Sequence, residues 1–148
     1  TMSWHENLIE EDDDIRNILR ASRKIAVVGI KDESHKGEAA FSVPEYMHNN
    51  GYEIIPVNPN YEHVFGANCR KSLADVTEPI DAVLVFRAPK NIPEHAKEAL
   101  QMHDKPRVFW MQSGIRNMNA ARKLANAGVK VVQDHCIYRE HLRLLAAH

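Results

Sequence analysis

Five short apolar runs recur along the chain, and segments with helical spacing of apolar residues separate them. The runs are rich in valine and isoleucine, and they do not alternate between apolar and polar positions. That pattern is typical of parallel strands that are buried on both faces of a sheet. The five predicted strands are IAVVG from Ile25, EIIPV from Glu53, DAVLVF from Asp81, RVFWM from Arg107 and KVVQ from Lys130.

The segments around these runs predict helices. At the N-terminus, Ile15, Ile18 and Leu19 share one face by their spacing, which predicts an amphipathic helix over 7–22. The helix after the first run is expected to begin at Ser42, because S-V-P-E forms a capping box with Glu45. Later helices are predicted over 92–103, 117–127 and 138–146.

Strands that alternate with helices connect through right-handed crossovers into a parallel sheet with helices on both faces. We therefore expect an α/β, doubly wound, Rossmann-like fold with a five-stranded parallel sheet in the order 3-2-1-4-5. Residues 1–22 are predicted to pack on the domain as an N-terminal helix, and residues 23–148 to form the ligand-binding domain. In that order the sheet reverses between its first and fourth strands, so a ligand should bind at the carboxyl ends of the strands near the reversal.

Composition narrows the class of ligand. Net charge is -1 and charged residues make up 26% of the 148 residues, so no broad basic surface points to nucleic acid. No apolar run approaches the ~20 residues of a membrane span, and the acidic N-terminal segment does not resemble a signal peptide. The cysteines, Cys69 and Cys136, are too few for a disulfide framework. We expect a cytoplasmic protein that binds a small molecule.

The loop after the first run has the features of a phosphate site. It starts at Gly29, contains two lysines and leads into the second predicted helix. A helix N-terminus favours an anion, because its free N–H groups and its dipole both present positive charge. The cations that fall in the predicted crevice segments are Lys31, Lys36, Arg87, Lys90 and Arg116.

The same loop departs from the fingerprint of nicotinamide and flavin dinucleotide sites. That fingerprint needs G-x-G-x-x-G in the first turn and an acidic residue after the second strand for the ribose. Here Gly29 is followed by Ile30 and Lys31, and the second run ends at Asn58 and Pro59. Both halves of the fingerprint are missing, which favours a polyanionic nucleotide without that ribose contact.

The order and spacing of these segments resemble the small single-domain CoA-binding proteins, which are similar to the CoA-binding domain of the succinyl-CoA synthetase alpha subunit. The resemblance covers roughly residues 23–141, through VVGIKDESHKGEAAFSVPEYMHNNGYEIIPVNPN, KSLADVTEPIDAVLVFR, VFWMQSGI and VVQDHCI. It implies a Rossmann-like fold that holds coenzyme A at the strand ends.

The resemblance also implies site residues. In the first loop, Gly29, Ile30 and Lys31 would lie at the pyrophosphate, Lys36 stands where relatives are often basic, and Ser42 matches the family's serine. Towards the adenosine, Asn58 and Pro59 match an N-P pair and Phe86 and Arg87 an F-R pair; towards the pantetheine, Gln112, Ser113 and Gly114 match Q-x-G.

Cys136 has three open interpretations: a structural half-buried thiol, a thiol that faces the CoA tail, or a nucleophile. His135 is adjacent but should point the other way on an extended segment, so the two are poorly placed as a pair. A thiol at the CoA tail would form a mixed disulfide under oxidation. Because His135, Cys136 and His141 match no known zinc spacing, no metal site is predicted.

No residue is predicted to be catalytic. The first interpretation is a stand-alone module that binds CoA or acyl-CoA without chemistry of its own. The alternative is an enzyme, either one that acts on an unusual dinucleotide or a thiol-dependent acyl transferase that uses Cys136.

Two surface features complete the expectations. Glu94, His95 and Glu98 lie near a helix start and are interpreted as a solvated face. The leucines of the last helix, which predict a weak homodimer, are Leu142, Leu144 and Leu145.

Overall fold

Five parallel strands form the central sheet of the computed structural model, which describes residues 3–146. Most positions in these strands are buried, as expected from the unbroken apolar runs. The strands are β1 Lys24–Val28, β2 Glu53–Val57, β3 Ala82–Val85, β4 Val108–Met111 and β5 Lys130–Val132.

The strands lie in the order β2-β1-β3-β4-β5. The prediction of a five-stranded, parallel, Rossmann-like sheet is confirmed. Beyond β2, where the order 3-2-1-4-5 has an edge strand, there is a single parallel bridge between Val57 and Arg70. The layout is compatible with that order when this bridge is counted as the edge. The run at Asp81 does not occupy that edge, however, because β3 pairs with β1.

This pairing moves the point where the sheet reverses. It lies between β1 and β3, and not beside the strand that starts at Val108. The chain between β2 and β3 forms a small hairpin, His63–Val64 with Ala67–Asn68, and then gives β2 only the Arg70 bridge. The free edge of β1 is therefore taken by β3. As a consequence, Phe86 N donates to Val28 O at 2.9 Å, and the residues that follow the two strands are neighbours.

Helices cover both faces of the sheet. They are α1 Asp12–Ala21, α2 Ala39–Asn49, α3 Ile92–Gln101, α4 Met118–Asn126 and α5 Ile137–His141, which continues as a π-helical turn over Leu142–Ala146. On one face, α3 and α4 bury Ile92, Ala96 and Leu124 in one apolar cluster. On the other, α1, α2 and α5 pack in a second cluster. In residues 3–146, no helix is both long enough and apolar enough to cross a bilayer.

The N-terminal helix is shorter than predicted. α1 begins at Asp12, while Trp4–Asn7 forms a short 3-10 turn. Between them the chain is extended, and Ile9 N donates to Val131 O at 2.8 Å. This segment covers the open edge of β5, which would otherwise expose unpaired backbone groups. The apolar residues at the start of 7–22 therefore lie in the extended segment beside β5 and not in a helix.

The last helix uses most of its leucines within the chain. Leu144 is buried and Leu145 packs against the second apolar cluster, whereas Leu142 is 41% exposed. The weak homodimer stays a prediction, and its apolar surface is reduced to Leu142.

An aromatic cluster holds α5 against α2. Tyr46 and Tyr138 stack with ring centroids 4.0 Å apart. The hydroxyl of Tyr46 lies 2.7 Å from Nδ1 of buried His141, and the Tyr52 ring meets the same imidazole edge-on. Burial raises the pKa of Tyr46, and that of Tyr52 to about 12, so both phenols stay neutral near pH 7. This cluster fixes the helix that follows Cys136.

The pH dependence of unfolding tests the buried state of His141. Burial lowers the pKa of His141, so the folded protein keeps this imidazole neutral where the unfolded chain, with a pKa of about 6.5, protonates it. The unfolded state then binds more protons, and the free energy of unfolding falls as the pH drops below about 6.5 until it passes the folded pKa. We expect urea unfolding to show this loss between about pH 7 and about pH 5, and His141→Gln to show a flatter profile.

Carboxylates act in a separate pH window. A hydrogen bond from Arg70 is the largest cause that lowers the pKa of Glu78 from 4.5 to about 2. The stability that this pair contributes is therefore present above pH 4.5 and lost only as the pH falls towards 2.

The His141→Gln variant decides whether His141 causes the loss at higher pH. If the free energy of unfolding depended on pH equally in the variant and in the unchanged protein between about pH 7 and about pH 5, the assignment to His141 would be contradicted.

Candidate functional site

Two cavities open side by side at the carboxyl edge of the sheet, and Arg87 lines both. The Asn58 cavity, of about 220 Å³, lies over the ends of β1 and β2 and reaches the first turns of α3. The Cys136 cavity, of about 420 Å³, lies between the ends of β3 and β4 and the start of α5. Of the predicted site residues, Gly29, Asn58, Pro59 and Arg87 line the first cavity, and Phe86, Arg87, Gln112, Ser113 and Cys136 line the second.

Gly29 allows the ends of β1 and β3 to approach closely. Its φ is 82°, and a Cβ atom at this position would lie 3.1 Å from Arg87 Cδ and collide with the carbonyl oxygen of Phe86. A hydrogen bond from Gly29 N to Val57 O, 3.0 Å long, fixes the other side. Only glycine fits here without displacing the backbone, which leaves the first loop open to a ligand.

The helix beside this point begins earlier than predicted. α2 starts at Ala39 after Glu38, and Ser42 lies within the helix, where its N–H donates to Glu38 O at 2.9 Å. The prediction that Ser42 caps the helix is therefore wrong. Two small alanines extend the helix backwards, and a helix tolerates Pro44 near its start at the cost of one hydrogen bond.

A backbone group of the first loop replaces the helical hydrogen bond that Pro44 cannot make. Pro44 has no N–H, so the carbonyl of Ala40, four residues earlier, has no helical donor. Lys31 N donates to this carbonyl at 3.0 Å instead. The proline thus ties the loop after Gly29 to the first turn of α2. Ala39, at the amino end of the helix, lines the Cys136 cavity, where free N–H groups favour an anion.

The lysines of the first loop lie away from the cavities. Lys31 Nζ pairs with Glu38 Oε1 at 3.2 Å, and His35 contacts the other oxygen of the same carboxylate. Hydrogen bonds from His35 and from Lys31 lower the pKa of Glu38. Among the predicted crevice cations, only Arg87 lines the two cavities. The others, which line neither, are Lys31, Lys36, Lys90 and Arg116.

Asn58 positions the first loop from inside the protein. Its Nδ2 donates to Ile30 O at 2.7 Å, and its Oδ1 accepts from Asn60 N at 2.8 Å. Both polar ends of the side chain are therefore engaged, although the residue lines a cavity. The side chain of Ile30 is fully buried in the second apolar cluster, and its carbonyl accepts from Asn58. The place of Ile30 at the pyrophosphate stays a prediction.

Two loops at this edge are tied to each other. Gly114 N donates to Asp134 Oδ1 at 2.6 Å, and Asp134 N donates to Ile115 O at 3.0 Å. Asp134 has a φ of 58°, a left-handed conformation that aspartate adopts more readily than most residues. Asn117 N donates to Gln133 Oε1 at 2.8 Å. The N–H of Gly114, a predicted site residue, is therefore engaged within the protein.

Gln112 fixes the backbone beside Cys136. Its Oε1 accepts from Ile137 N at 2.8 Å, and Trp110 Nε1 donates to His135 O, also at 2.8 Å. Gln112 is only 5% exposed, and its Nε2 has no acceptor within residues 3–146. Because this residue lines the Cys136 cavity, a ligand carbonyl there would satisfy the free amide donor.

The histidines near Cys136 are bonded elsewhere. His135 Nδ1 lies 2.6 Å from Gln133 O, and His141 Nδ1 lies against the hydroxyl of Tyr46. In the part of the chain that the structure describes, no group of three or more His, Cys, Asp or Glu side chains is placed to hold a metal ion.

The first turns of α3 contribute residues that the sequence did not indicate. Glu94, His95 and Glu98 line the Asn58 cavity; Glu94 is exposed, as predicted for a solvated face, whereas His95 and Glu98 are partly buried. His95 is 12% exposed in its side chain, its Nδ1 lies 2.9 Å from Glu98 Oε1, and its Nε2 is buried without a partner. The position of Glu94, His95 and Glu98 shortly after the end of β3 was the feature of the sequence that could have placed them at the site. Further lining residues with a polar or charged side chain are Lys71, Ser72 and Arg139.

Relatives are found over most of the chain. Residues 23–142 match the family described as CoA binding domain. Uncharacterized protein YneT from Bacillus subtilis (strain 168) is 40% identical over 128 residues, which is 86% of this chain and 92% of that protein. The structure of cell-free ID.343 from Thermus thermophilus has a TM-score of 0.85 at 36% identity, covering 92% of this chain and 100% of that one.

A larger protein shares a shorter region. The ADP-forming acetate–CoA ligase of Methanocaldococcus jannaschii is 29% identical over 83 residues, which is 53% of this chain and 12% of the ligase. The likeness therefore concerns one part of that protein.

Proposed function

Because the chain belongs to the CoA binding domain family, we propose that it binds coenzyme A or an acyl-CoA across the two cavities at the carboxyl edge of its sheet. The observation that carries the proposal is the place of Arg87, whose side chain lines both cavities where β1 and β3 end. A ligand with phosphates at its centre and a different chemical group at each end suits that arrangement.

The centre of the ligand would meet positive charge. Arg87 can form charge-assisted hydrogen bonds to a phosphate, which are roughly twice as strong as neutral ones. Ala39, at the amino end of α2, and Arg139 also line the Cys136 cavity. Gly29 removes the side chain that would otherwise hold a phosphate away from the backbone.

The two ends of the ligand differ in chemistry, and so do the two cavities. The Asn58 cavity is bordered by Lys71, Ser72 and His95 and also by the carboxylates of Glu94 and Glu98. Ribose hydroxyls can donate to those carboxylates, and Lys71 and Arg87 can pair with a phosphate on the ribose. The Cys136 cavity combines the apolar side chains of Phe86 and Ile115 with the amide donor of Gln112. An extended arm with amide carbonyls, such as pantetheine, matches that combination.

We propose a stand-alone binding module without catalysis of its own, in the cytoplasm, where the two free cysteines would remain reduced. A thiol-dependent acyl transferase is the second candidate, because Cys136 lines a cavity. Such an enzyme needs a base beside the thiol, and the Nδ1 of His135 is bonded to Gln133 O. Mass analysis after incubation with acetyl-CoA distinguishes the two, since only the transferase forms an acylated Cys136.

Thermal unfolding with a panel of ligands tests the binding proposal. We expect CoA and acyl-CoA to raise the Tm, and NAD, NADP, FAD and ATP to leave it nearly unchanged. A ligand at about 100 times its Kd stabilises the folded state by about 2.7 kcal/mol. For a chain of this size that corresponds to a shift of roughly 5–11 °C.

The panel also distinguishes the alternatives. A larger shift with NAD than with CoA would contradict the proposal and favour the dinucleotide enzyme. Equal shifts with ATP and CoA would indicate that only the adenine nucleotide is recognised.

A further inference from the structure

Cys136 is a free, half-buried cysteine that lines the cavity assigned above to the pantetheine arm. Its neighbours on both sides are held by the end of β4: Trp110 Nε1 donates to the carbonyl of His135, and Ile137 N donates to Gln112. The thiol is therefore presented from a fixed piece of backbone, at the wall of a cavity large enough for part of a ligand.

Gln112 offers a hydrogen-bond donor to a ligand in this cavity. The residue is 5% exposed, and its Nε2 has no acceptor in the described part of the chain. Nε2 is not among the buried unpaired atoms of the described residues, so it opens on the cavity, where a ligand carbonyl can accept from it. Because the other atom of the same amide bonds the peptide next to Cys136, a ligand that pairs with Nε2 lies beside the thiol.

We propose that Cys136 captures CoA from CoA disulfide and retains it as a mixed disulfide, so that the site holds the CoA thiol in protected form under oxidation. This inference rests on the proposed function, because binding of CoA would bring the reacting sulfur to Cys136. The Cys136 thiolate attacks one sulfur of CoA disulfide. A bond forms between Sγ and that sulfur, the original S–S bond breaks, and the second CoA leaves as a thiolate that takes up the proton lost by Cys136.

Cys69 provides a comparison within the same chain. It is also free and half-buried, but it lines neither cavity. Burial, and then the charge of Asp32, raise the pKa of its thiol. A thiol with a raised pKa contains less of the reactive thiolate, so Cys69 should react slowly with any disulfide.

Intact-mass analysis tests the inference with CoA disulfide and, in parallel, with glutathione disulfide at the same concentration. We expect one CoA adduct, formed at least about tenfold faster than the glutathione adduct because binding positions the CoA sulfur. The adduct should be lost in Cys136→Ser and kept in Cys69→Ser. Adenosine 3′,5′-bisphosphate, which has the nucleotide end of CoA but no sulfur, should slow the CoA reaction when it is in large excess and leave the glutathione reaction unchanged.

Labelling of Cys69 alone, equal labelling of both cysteines, or equal rates with the two disulfides would overturn the inference. Calorimetry with reduced CoA on the unmodified protein separates it from the proposed function. If CoA binds and no adduct forms, only the disulfide capture is overturned. If CoA does not bind, the proposed function is overturned as well.

Discussion

Replacement of Gly29 by alanine is expected to abolish CoA binding and to lower the free energy of unfolding by roughly 2–4 kcal/mol. An alanine in the left-handed conformation costs about 1–2 kcal/mol. The added methyl group would also collide with the carbonyl oxygen of Phe86, a backbone atom that cannot rotate away. The ends of β1 and β3 would have to separate, which displaces Arg87. Urea unfolding measures the first effect, and calorimetry with CoA measures the second.

Gly51→Ala is the matched control. Gly51 has a φ of 94°, but a Cβ atom there would meet nothing within 4 Å. This variant therefore carries the backbone cost alone, about 1–2 kcal/mol, and should keep its affinity for CoA. If Gly29→Ala were no less stable than Gly51→Ala and still bound CoA, the close approach of β1 and β3 at Gly29 would not matter.

Charge reversal at Arg87 is expected to weaken CoA binding by about tenfold to a hundredfold or more while the protein stays folded. A hydrogen bond between charged groups contributes roughly 1.5–3 kcal/mol, and each 1.4 kcal/mol corresponds to about tenfold in Kd. Arg87→Glu removes that bond and adds repulsion. Because Arg87 is exposed, thermal unfolding without ligand should change little. Calorimetry with CoA gives the change in Kd.

Lys130→Glu is the matched control. It makes the same change in charge at the amino ends of the strands, where Lys130 begins β5. It should leave the Kd almost unchanged. An equal loss of affinity in both variants would mean that Arg87 acts only through the overall charge of the protein. Lys31→Glu should weaken binding less, because Lys31 lines neither cavity and the change also breaks its pair with Glu38, so Arg87 is the clearer test.

The strands were predictable because each is a short run of buried aliphatic residues. Their order was harder to predict, because such runs do not encode which strand pairs with which. The chain between β2 and β3 forms a small hairpin and gives β2 only one bridge, at Arg70. The next strand, β3, therefore pairs with the other side of β1. The predicted start of α2 was wrong because a contact with a distant loop, and not the local capping pattern, determines where the helix begins. Ser42 carried the capping pattern, yet the helix starts at Ala39 and the loop at Lys31 supplies the missing hydrogen bond.

The site was predictable where backbone and charge determine it, as at Gly29 and Arg87. It was less predictable where side chains bond to each other. Whether Lys31 faces a ligand or Glu38 cannot be read from its position after a strand. His95 and Glu98 appeared in the sequence as a polar helix start, and only the position of α3 across a cavity from the end of β2 brings them to the site.

The location of Arg87 between two cavities affects which molecules the protein can distinguish. A compound that fills one cavity is held by one set of contacts. When a longer compound binds one cavity with one end, its other end stays close to the second cavity at a high effective concentration. The two weak contacts together then give a higher affinity than either gives alone. Shorter adenine nucleotides would act only as fragments of such a compound and would compete poorly with it. Discrimination would then depend on the span of the ligand more than on any single group that it carries.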